Sequence, residues 1–309
     1  MGPSYASIIR DAQKVRWDIE EVLSCVHDID FQRDLLPEAL VHVRPVGLPD
    51  PEARRHANQI RAHAYLQLFA LCERFILPFV MVHAGRALHT STEELLALMQ
   101  FGEEEAKHIA LFERFSEAFS FGFGSVCEVV GPADELSGAV LAEHPLAVAL
   151  IVLHIEWMTQ EHYLRSVRGS VDIDPQFKAM LRFHWIEEAQ HARLDGLIIE
   201  KLAASQSEED LYEGVRGYLR IVDRLDRVLT DQVQLDIEAF GRAGGTLDDT
   251  QRERWREVQP AAYREAFVLA GIDHPRFRRT VEQHFGPAAA ELHRAIERLA
   301  VPPGLLTAP

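Results

Sequence analysis

Glu105 with His108 and Glu188 with His191 form two Glu-x-x-His units that stand 83 residues apart. Each is preceded, 32 residues upstream, by a lone glutamate in an apolar stretch, Glu73 and Glu156. An α-helix advances about 100° per residue, so positions i and i+3 project from one face and reach a single metal ion. One such unit would carry little weight in a chain with 15 histidines. The repeat carries the weight, because all four positions of the first half recur in the second. This is the ligand pattern of a carboxylate-bridged dinuclear metal site inside a four-helix bundle, built from a duplicated helix pair with approximate two-fold symmetry.

Each glutamate also stands out from its surroundings. Glu73 is the only acidic residue between Glu52 and Glu93, and Glu156 the only one between Glu143 and Glu161. A carboxylate in such a setting is expensive to bury unless it is paired or metal-bound. The alternative for Glu73 alone is a buried ion pair with Arg74 or a neighbouring arginine. Four carboxylates together neutralise two divalent cations, and without them the same four would repel and take up protons. Glu104 and Glu187 immediately precede the two unit glutamates. Reaching across to the opposite helix, each is placed to hold the second ring nitrogen of a metal-bound imidazole; the alternative is a solvated helix face, which Glu103 is expected to occupy.

His184 breaks the symmetry. It lies four residues before Glu188 and seven before His191, within about 60° of both on a helix. Its counterpart 83 residues earlier is Phe101, so the second half adds one nitrogen donor. His63, His83, His89, His154 and His162 lie off the pattern and are read as structural or solvated.

The elements that must position these residues are helices almost throughout. Residues 1–50 carry Pro37, Pro45 and Pro49 and read as short helices and loops wrapped on the bundle. Four bundle helices follow within 51–205. The first runs from Pro51 to about Gly85, with Pro78 a kink site. The second starts at Ser91, where Ser91 and Glu94 form a capping box, and ends in the Phe/Gly-rich stretch 119–124. The third runs from Pro145 to Val167, and the fourth opens with Asp174 as N-cap and Pro175 at the first helical position. Residues 206–309 belong to the same domain. There Leu211, Val215, Tyr218, Val222, Leu225, Leu229 and Val233 form one apolar stripe on a bracing helix. The fold class expected is all-α, a ferritin-like four-helix bundle with additional flanking helices.

Composition narrows the function. A net charge of −16, with no basic cluster to offset it, argues against nucleic acid. The longest apolar run, 147–158, is too short to span a bilayer and contains His154 and Glu156, so neither secretion nor a membrane is expected. Cys25, Cys72 and Cys127 are few and scattered, which suits a reducing cytoplasm rather than a disulfide framework.

The two Glu-x-x-His units occur in bacterioferritin-like, desaturase-like and ribonucleotide-reductase-like proteins. With His184-x-x-x-Glu188-x-x-His191 on the last bundle helix, the chain over about 57–200 resembles the p-aminobenzoate N-oxygenase family of di-iron enzymes. The resemblance implies iron ligands at Glu73, Glu105, His108, Glu156, His184, Glu188 and His191, and a homodimer. It also implies N-oxygenation of an aryl amine through hydroxylamine toward nitro. A ribonucleotide-reductase-type tyrosyl radical is not expected, because Phe112 stands where that tyrosine would be.

Mixed imidazole and carboxylate ligation with open positions favours two iron ions (Fe2+/Fe3+) over zinc, with manganese or a mixed pair possible. The expected activity is that of an O2-activating di-iron oxygenase working through a peroxo-diferric intermediate, fed by an external electron donor. Phe69, Leu77, Phe101, Ile109, Phe112 and Val152, with Thr159 and Gln160 as polar groups, are expected to line a substrate chamber. The alternative activities are hydroxylation or desaturation of an aliphatic acyl chain, iron storage in a shell-forming oligomer, and a metal-dead scaffold. The long N-terminal region and the helices beyond 205 argue against a minimal ferritin chain, and the intact seven-residue set argues against the scaffold.

Overall fold

The computed structural model describes residues 4–24 and 29–307, and Cys25 lies outside the described residues. Among these residues the chain is helical, with no strand beyond a single bridge between Asp34 and Ile173. The architecture is a four-helix bundle with flanking helices.

Short helices α1 (Tyr5–Val15), α2 (Ile19–Ser24) and α3 (Glu38–Val41) lead to the bundle helices α4 (Pro51–Ala87) and α5 (Thr92–Phe123). After α6 (Ala133–Leu141) come the other two, α7 (Pro145–Glu161) and α8 (Pro175–Ala203). The flanking set is α9 (Glu208–Arg242), α10 (Asp249–Arg264), α11 (Ala270–Ile272), α12 (Pro275–Phe285) and α13 (Ala289–Leu299).

The helix starts follow their capping chemistry. Asp50 and Asp174 cap α4 and α8 ahead of a proline whose missing N–H costs nothing there. Asp174 also accepts the backbone N–H of Asp30, which ties the N-terminal segment to the foot of α8. Ser91 accepts the Glu94 N–H at 3.2 Å, but the reciprocal half of the expected capping box is missing. The Glu94 carboxylate instead takes two hydrogen bonds from Lys201, because α8 brings a cation within reach and a charged donor outbids a backbone amide. Gly124 closes α5 in the left-handed region at φ 73°.

α4 packs along α5, and α7 along α8. α7 is the innermost rod: every residue from Leu146 to Gln160 is buried. Its sequence is apolar all round because α8 lies on one side and α9 on another, so no face meets water. α4 is long and apolar enough to cross a membrane by length and composition, with half of its most apolar window buried inside the protein. On α9 the stripe residues Val215, Tyr218, Val222, Leu229 and Val233 are buried, while Leu211 and Leu225 sit at its margins.

The third bundle helix does not stay α-helical to Val167. It passes into a π-helical stretch, His162–Val167, facing a second one at Glu265–Leu269. The two are joined by His162, whose Nε2–H donates to the Ala266 carbonyl (2.8 Å) while Nδ1 accepts from the Tyr65 hydroxyl (2.8 Å). His154 is held alike, Nε2–H on the Phe267 carbonyl (3.0 Å) and Nδ1 taking the Tyr218 hydroxyl (2.7 Å). Of the histidines set aside on sequence, His63, His83, His154 and His162 are buried and His89 is exposed.

Gly271 of α11 is pressed on the His154 ring, so that a β-carbon there would lie 2.2 Å from a ring atom. The ring is pinned at both nitrogens and cannot retreat. Gly271→Ala should therefore destabilise the fold by about 1–3 kcal/mol through overpacking, read as a lower urea midpoint.

Burial lowers the His63 pKa from 6.5 to about 4. The folded state thus binds that proton less readily than the unfolded chain, so the stabilisation is present above pH 6.5 and drains away as pH falls toward 4. Between pH 7 and pH 4.5, His63→Leu should lose less stability than the parent, by on the order of 2 kcal/mol, in parallel urea titrations.

Candidate metal centre

The four bundle helices bring all seven sequence-derived residues into the core, each at most 3% exposed. Their arrangement divides in two. Glu105 turns Oε2 toward His108 Nδ1 (3.8 Å) and Oε1 toward His191 Nδ1 (2.9 Å). Glu188 turns Oε1 toward His184 Nε2 (2.6 Å) and His108 Nδ1 (3.3 Å), and Oε2 toward His191 Nδ1 (3.0 Å). These two carboxylates therefore span the centre, one oxygen to each side.

Glu73 belongs to the His108 and His184 side, with Oε1 3.2 Å from His184 Nε2. Two sets of four ligand atoms, on Glu73, His108, His184 and Glu188 and on Glu105, His108, Glu188 and His191, lie within 4.8 Å of one another, close enough to hold an ion. Glu156 stands outside both sets. It interacts electrostatically with Glu188, His191 and Glu105, which places it on the His191 side.

The outer nitrogens of two imidazoles are occupied across the bundle. His108 Nε2–H donates to Glu187 Oε2 (3.2 Å) and His191 Nε2–H to Glu104 Oε2 (2.8 Å). This fixes which nitrogen each ring turns inward. Lys107 donates to the other Glu187 oxygen, and Gln100 to the other Glu104 oxygen. Glu103, on the solvated face, pairs with Arg16 instead.

Electrostatics express the crowding of charge. Burial, then the neighbouring charge of Glu105, pushes Glu73 well above the carboxylate range, and burial followed by Glu188 does the same to Glu156. Burial would also raise Glu188, but the adjacent His184 and His191 outweigh it and hold Glu188 well below that range. His191 is raised well above the usual histidine value, its burial outweighed by the Glu188 charge, the hydrogen bond to Glu104 and the nearby Glu105 carboxylate. His184 moves down, chiefly by burial, and so favours the neutral imidazole that binds a cation.

The donor set fits a pair of hard-to-borderline divalent ions. Glu73 Oε2, both oxygens of Glu105 and of Glu156, Glu188 Oε1 and His108 Nδ1 are buried without a hydrogen-bond partner among the described residues. Each such orphan costs about 1–3 kcal/mol or more if nothing else engages it. Divalent cations at these points would satisfy all of them and displace the protons now shared among the carboxylates. Oxygen and imidazole donors with no thiolate suit iron or manganese.

Of the eight residues expected to line a substrate chamber, three lie against the imidazoles. Phe69 and Phe112 stand edge-on to the His184 ring, with centroids 5.2 and 4.9 Å away, and Phe101 stacks on His191 at 4.0 Å. Val152 is fully buried, and Leu77 and Ile109 are half-buried. Thr159 donates to the Ile155 carbonyl, and Gln160 is tied to Trp185 at both ends of its amide. Phe69, Phe101 and Phe112 pack the imidazoles in place. None of the eight lines the cavity beside Cys72 and Ile155. That cavity is narrow and apolar, lies between α4, α6, α7 and α9, and is bounded by Leu68, Phe75, Val140, Ile151 and Met158 with Cys72 and Arg224.

Three residues near the centre escaped the sequence reading. Trp17 lies over the His108 ring, with centroids 6.4 Å apart and planes 20° apart, and the Lys107 ammonium sits 4.3 Å from the Trp17 ring. Asp195 is fully buried, one turn beyond His191, with neither oxygen hydrogen-bonded among the described residues. Helical spacing, four residues past His191, is the signal that could have found Asp195. Nothing in the sequence connected Trp17 or Lys107 to the centre, since both contacts need the N-terminal segment folded over α5 and α8.

No family model matches the chain, and no curated protein matches it. Among solved structures it is similar to an R2-like ligand-binding oxidase variant with an aerobically reconstituted Mn/Fe cofactor, at 14% identity over 91% of this chain and 93% of that one, with a TM-score of 0.48. A second variant of that oxidase, with an anaerobically reconstituted Mn/Fe cofactor, gives 15% identity, 89% and 94% coverage and a TM-score of 0.47. At this distance residue roles do not transfer between the chains.

If Glu187 orients His108, Glu187→Gln should lower affinity for Fe2+ or Mn2+ about 10- to 100-fold while leaving the far-ultraviolet spectrum unchanged. Anaerobic metal titration measures it.

Proposed function

We propose that this chain is an O2-activating di-metal oxidase whose reaction is N-oxygenation of an amine. The observation that carries the reading is the set of buried carboxylate and imidazole atoms that converge from four helices and lack any hydrogen-bonding partner among the described residues. Glu73, His108 and His184 would hold one ion, Glu156 and His191 the other, and Glu105 and Glu188 both. Two iron ions are favoured, with manganese or a mixed pair as the other compositions. When bound, the pair supplies the electrons that reduce O2 and the oxidising power delivered to the substrate.

The chain's own residues define what surrounds that chemistry. Glu187 and Glu104 hold the Nε2–H of His108 and His191 so that Nδ1 of each ring turns inward for ligation, and Lys107 offsets the charge of Glu187. Phe69, Phe101 and Phe112 seal the imidazoles from water, which strengthens every charge interaction inside. His184 makes one side of the centre richer in nitrogen, and this asymmetry supports an amine as the group oxidised.

The apolar cavity supports a second reading, hydroxylation or desaturation of an aliphatic substrate. O2, a small-molecule substrate and an external electron donor complete the proposed partners. The exposed Met81, Val82, Leu96 and Met99 of the adjoining α4 and α5 support a homodimer. Cys72 and Cys127, both free thiols, suit the cytoplasm.

Anaerobic reconstitution with Fe2+, followed by O2 and a panel of aryl amines and aliphatic acids, tests the reading by metal analysis, oxygen electrode and mass spectrometry. The parent should bind about two ions per chain, consume O2 and convert an aryl amine to hydroxylamine or nitro product. Glu188→Gln should lose most of the metal and the turnover. Fewer than one ion per chain, or O2 uptake no faster than that of free Fe2+, would overturn the oxidase; oxidation of only the aliphatic acids would replace the amine.

A further inference from the structure

Resting on the di-metal reading above, we propose that Tyr65 is a redox-active tyrosine. It gives one electron, by way of Phe69, to the metal pair once O2 has oxidised it, and gives its phenolic proton to His162. Aromatic rings supply the path. Phe69 stands edge-on to His184 with centroids 5.2 Å apart, and Tyr65 lies 4.7 Å from Phe69. Tyr65 and Phe69 are one turn apart on α4, so the helix holds the two rings in register. All three side chains are buried. Phe112 also stands edge-on to His184, but it carries no hydroxyl.

A buried phenol yields an electron only if a base takes its proton, because a phenol cation stranded away from water is prohibitively costly. The Tyr65 hydroxyl donates to Nδ1 of His162 (2.8 Å), whose Nε2–H donates to the Ala266 carbonyl (2.8 Å). A carbonyl can only accept, so the ring proton sits on Nε2 and Nδ1 is free to receive another. Both partners of this bond to Ala266 lie in π-helical stretches, a distortion that recurs at functional sites. Burial lowers His162 to about 4, so the ring is neutral at neutral pH. Burial also pushes the Tyr65 phenol well above its usual value, so it keeps its proton until the electron leaves. The step balances: Tyr65 loses one electron and one proton and becomes a neutral radical, the electron reduces a metal ion, and His162 becomes an imidazolium. The proton stays one hydrogen bond away and returns when the external donor reduces the radical. His162 lines an open groove shared with His42, Glu161 and Glu265, from which a soluble reductant approaches the pair.

The other buried oxidisable rings each lack a part. Trp17 lies over His108, but its Nε1–H has no acceptor among the described residues, and the Lys107 ammonium 4.3 Å from the ring opposes the loss of an electron. Tyr218 has a base in His154 Nδ1 (2.7 Å), but its aromatic neighbours among the described residues, His154 and Phe277, are not ligands. Tyr263 donates to Asp236, but the Arg61 guanidinium lies 3.2 Å from its ring centroid. Tyr65 has the base, the path and no cation on its ring.

Electron paramagnetic resonance tests this on the full-length protein, reconstituted anaerobically with Fe2+, mixed with O2 in the absence of substrate and freeze-quenched over a time course. The parent should give an organic-radical signal that narrows when the protein is grown with ring-deuterated tyrosine. Tyr65→Phe should lose the signal at unchanged iron content, and Tyr218→Phe should keep it. His162→Gln, which accepts the hydrogen bond but cannot take the proton, should lose it as well. No radical in the parent, a signal that tyrosine deuteration does not narrow, or one that survives Tyr65→Phe or His162→Gln would overturn the relay. The isotope measurement needs no variant, so it decides even if a substitution disturbs the fold. Iron content and O2 uptake on the same samples separate the two readings. Iron bound and O2 consumed without a tyrosine radical refutes only the relay, whereas failure to take up iron refutes the di-metal centre and the relay with it.

Discussion

Four carboxylates and three imidazoles share the driest part of this protein, and their mutual electrostatics constrain the remainder of the structure. A buried carboxylate is tolerable only beside a cation, a proton or a set of donors. Here the protein supplies few donors, and the orphaned oxygens of Glu105 and Glu156 mark where the balance must come from outside the chain. The fold holds these groups together because each sits mid-helix on a rod whose other contacts are large and apolar.

The shell around the centre has two chemical tasks. Glu104 and Glu187 orient imidazoles, and their other oxygens accept hydrogen bonds from Gln100 and Lys107. Aromatic rings take the other task, filling the volume beside His184 and His191 so that the rings cannot rotate. Trp17, delivered by the N-terminal segment, covers His108 from outside the four rods. The segment before the bundle is in this sense a lid on the centre, pinned at the foot of α8 by Asp174.

The two halves are similar in their ligand spacing and different in everything that surrounds it. Phe101 and His184 occupy matching positions, yet one stacks on His191 and the other faces Glu73 and Glu188. The helix carrying Glu156 is wrapped on all sides by α8, α9 and α11, whereas the helix carrying Glu73 has one face open to solvent at Arg74 and Pro78. Substrate access therefore need not follow the symmetry of the ligands. The narrow cavity lies on one side of the bundle, lined by residues of α4, α6, α7 and α9.

Much of this was legible before any coordinates. Spacing and residue type pointed to the seven converging residues, the two outer carboxylates, the cap at Asp174 and most of the bracing stripe on α9. Helical periodicity is a one-dimensional rule, and each of these features depends on residues within a few turns of one another. Nearness to a ligand in sequence says only that a side chain is close. It does not say whether the chain leaves space beside it. Void, lid and unpaired charge arise from segments 50 to 200 residues apart: Arg224 against Cys72, Trp17 against His108, Lys201 against Glu94. Only tertiary packing decides these, because they are differences between surfaces brought together late in the chain, and no local pattern encodes what one helix will leave unfilled on another.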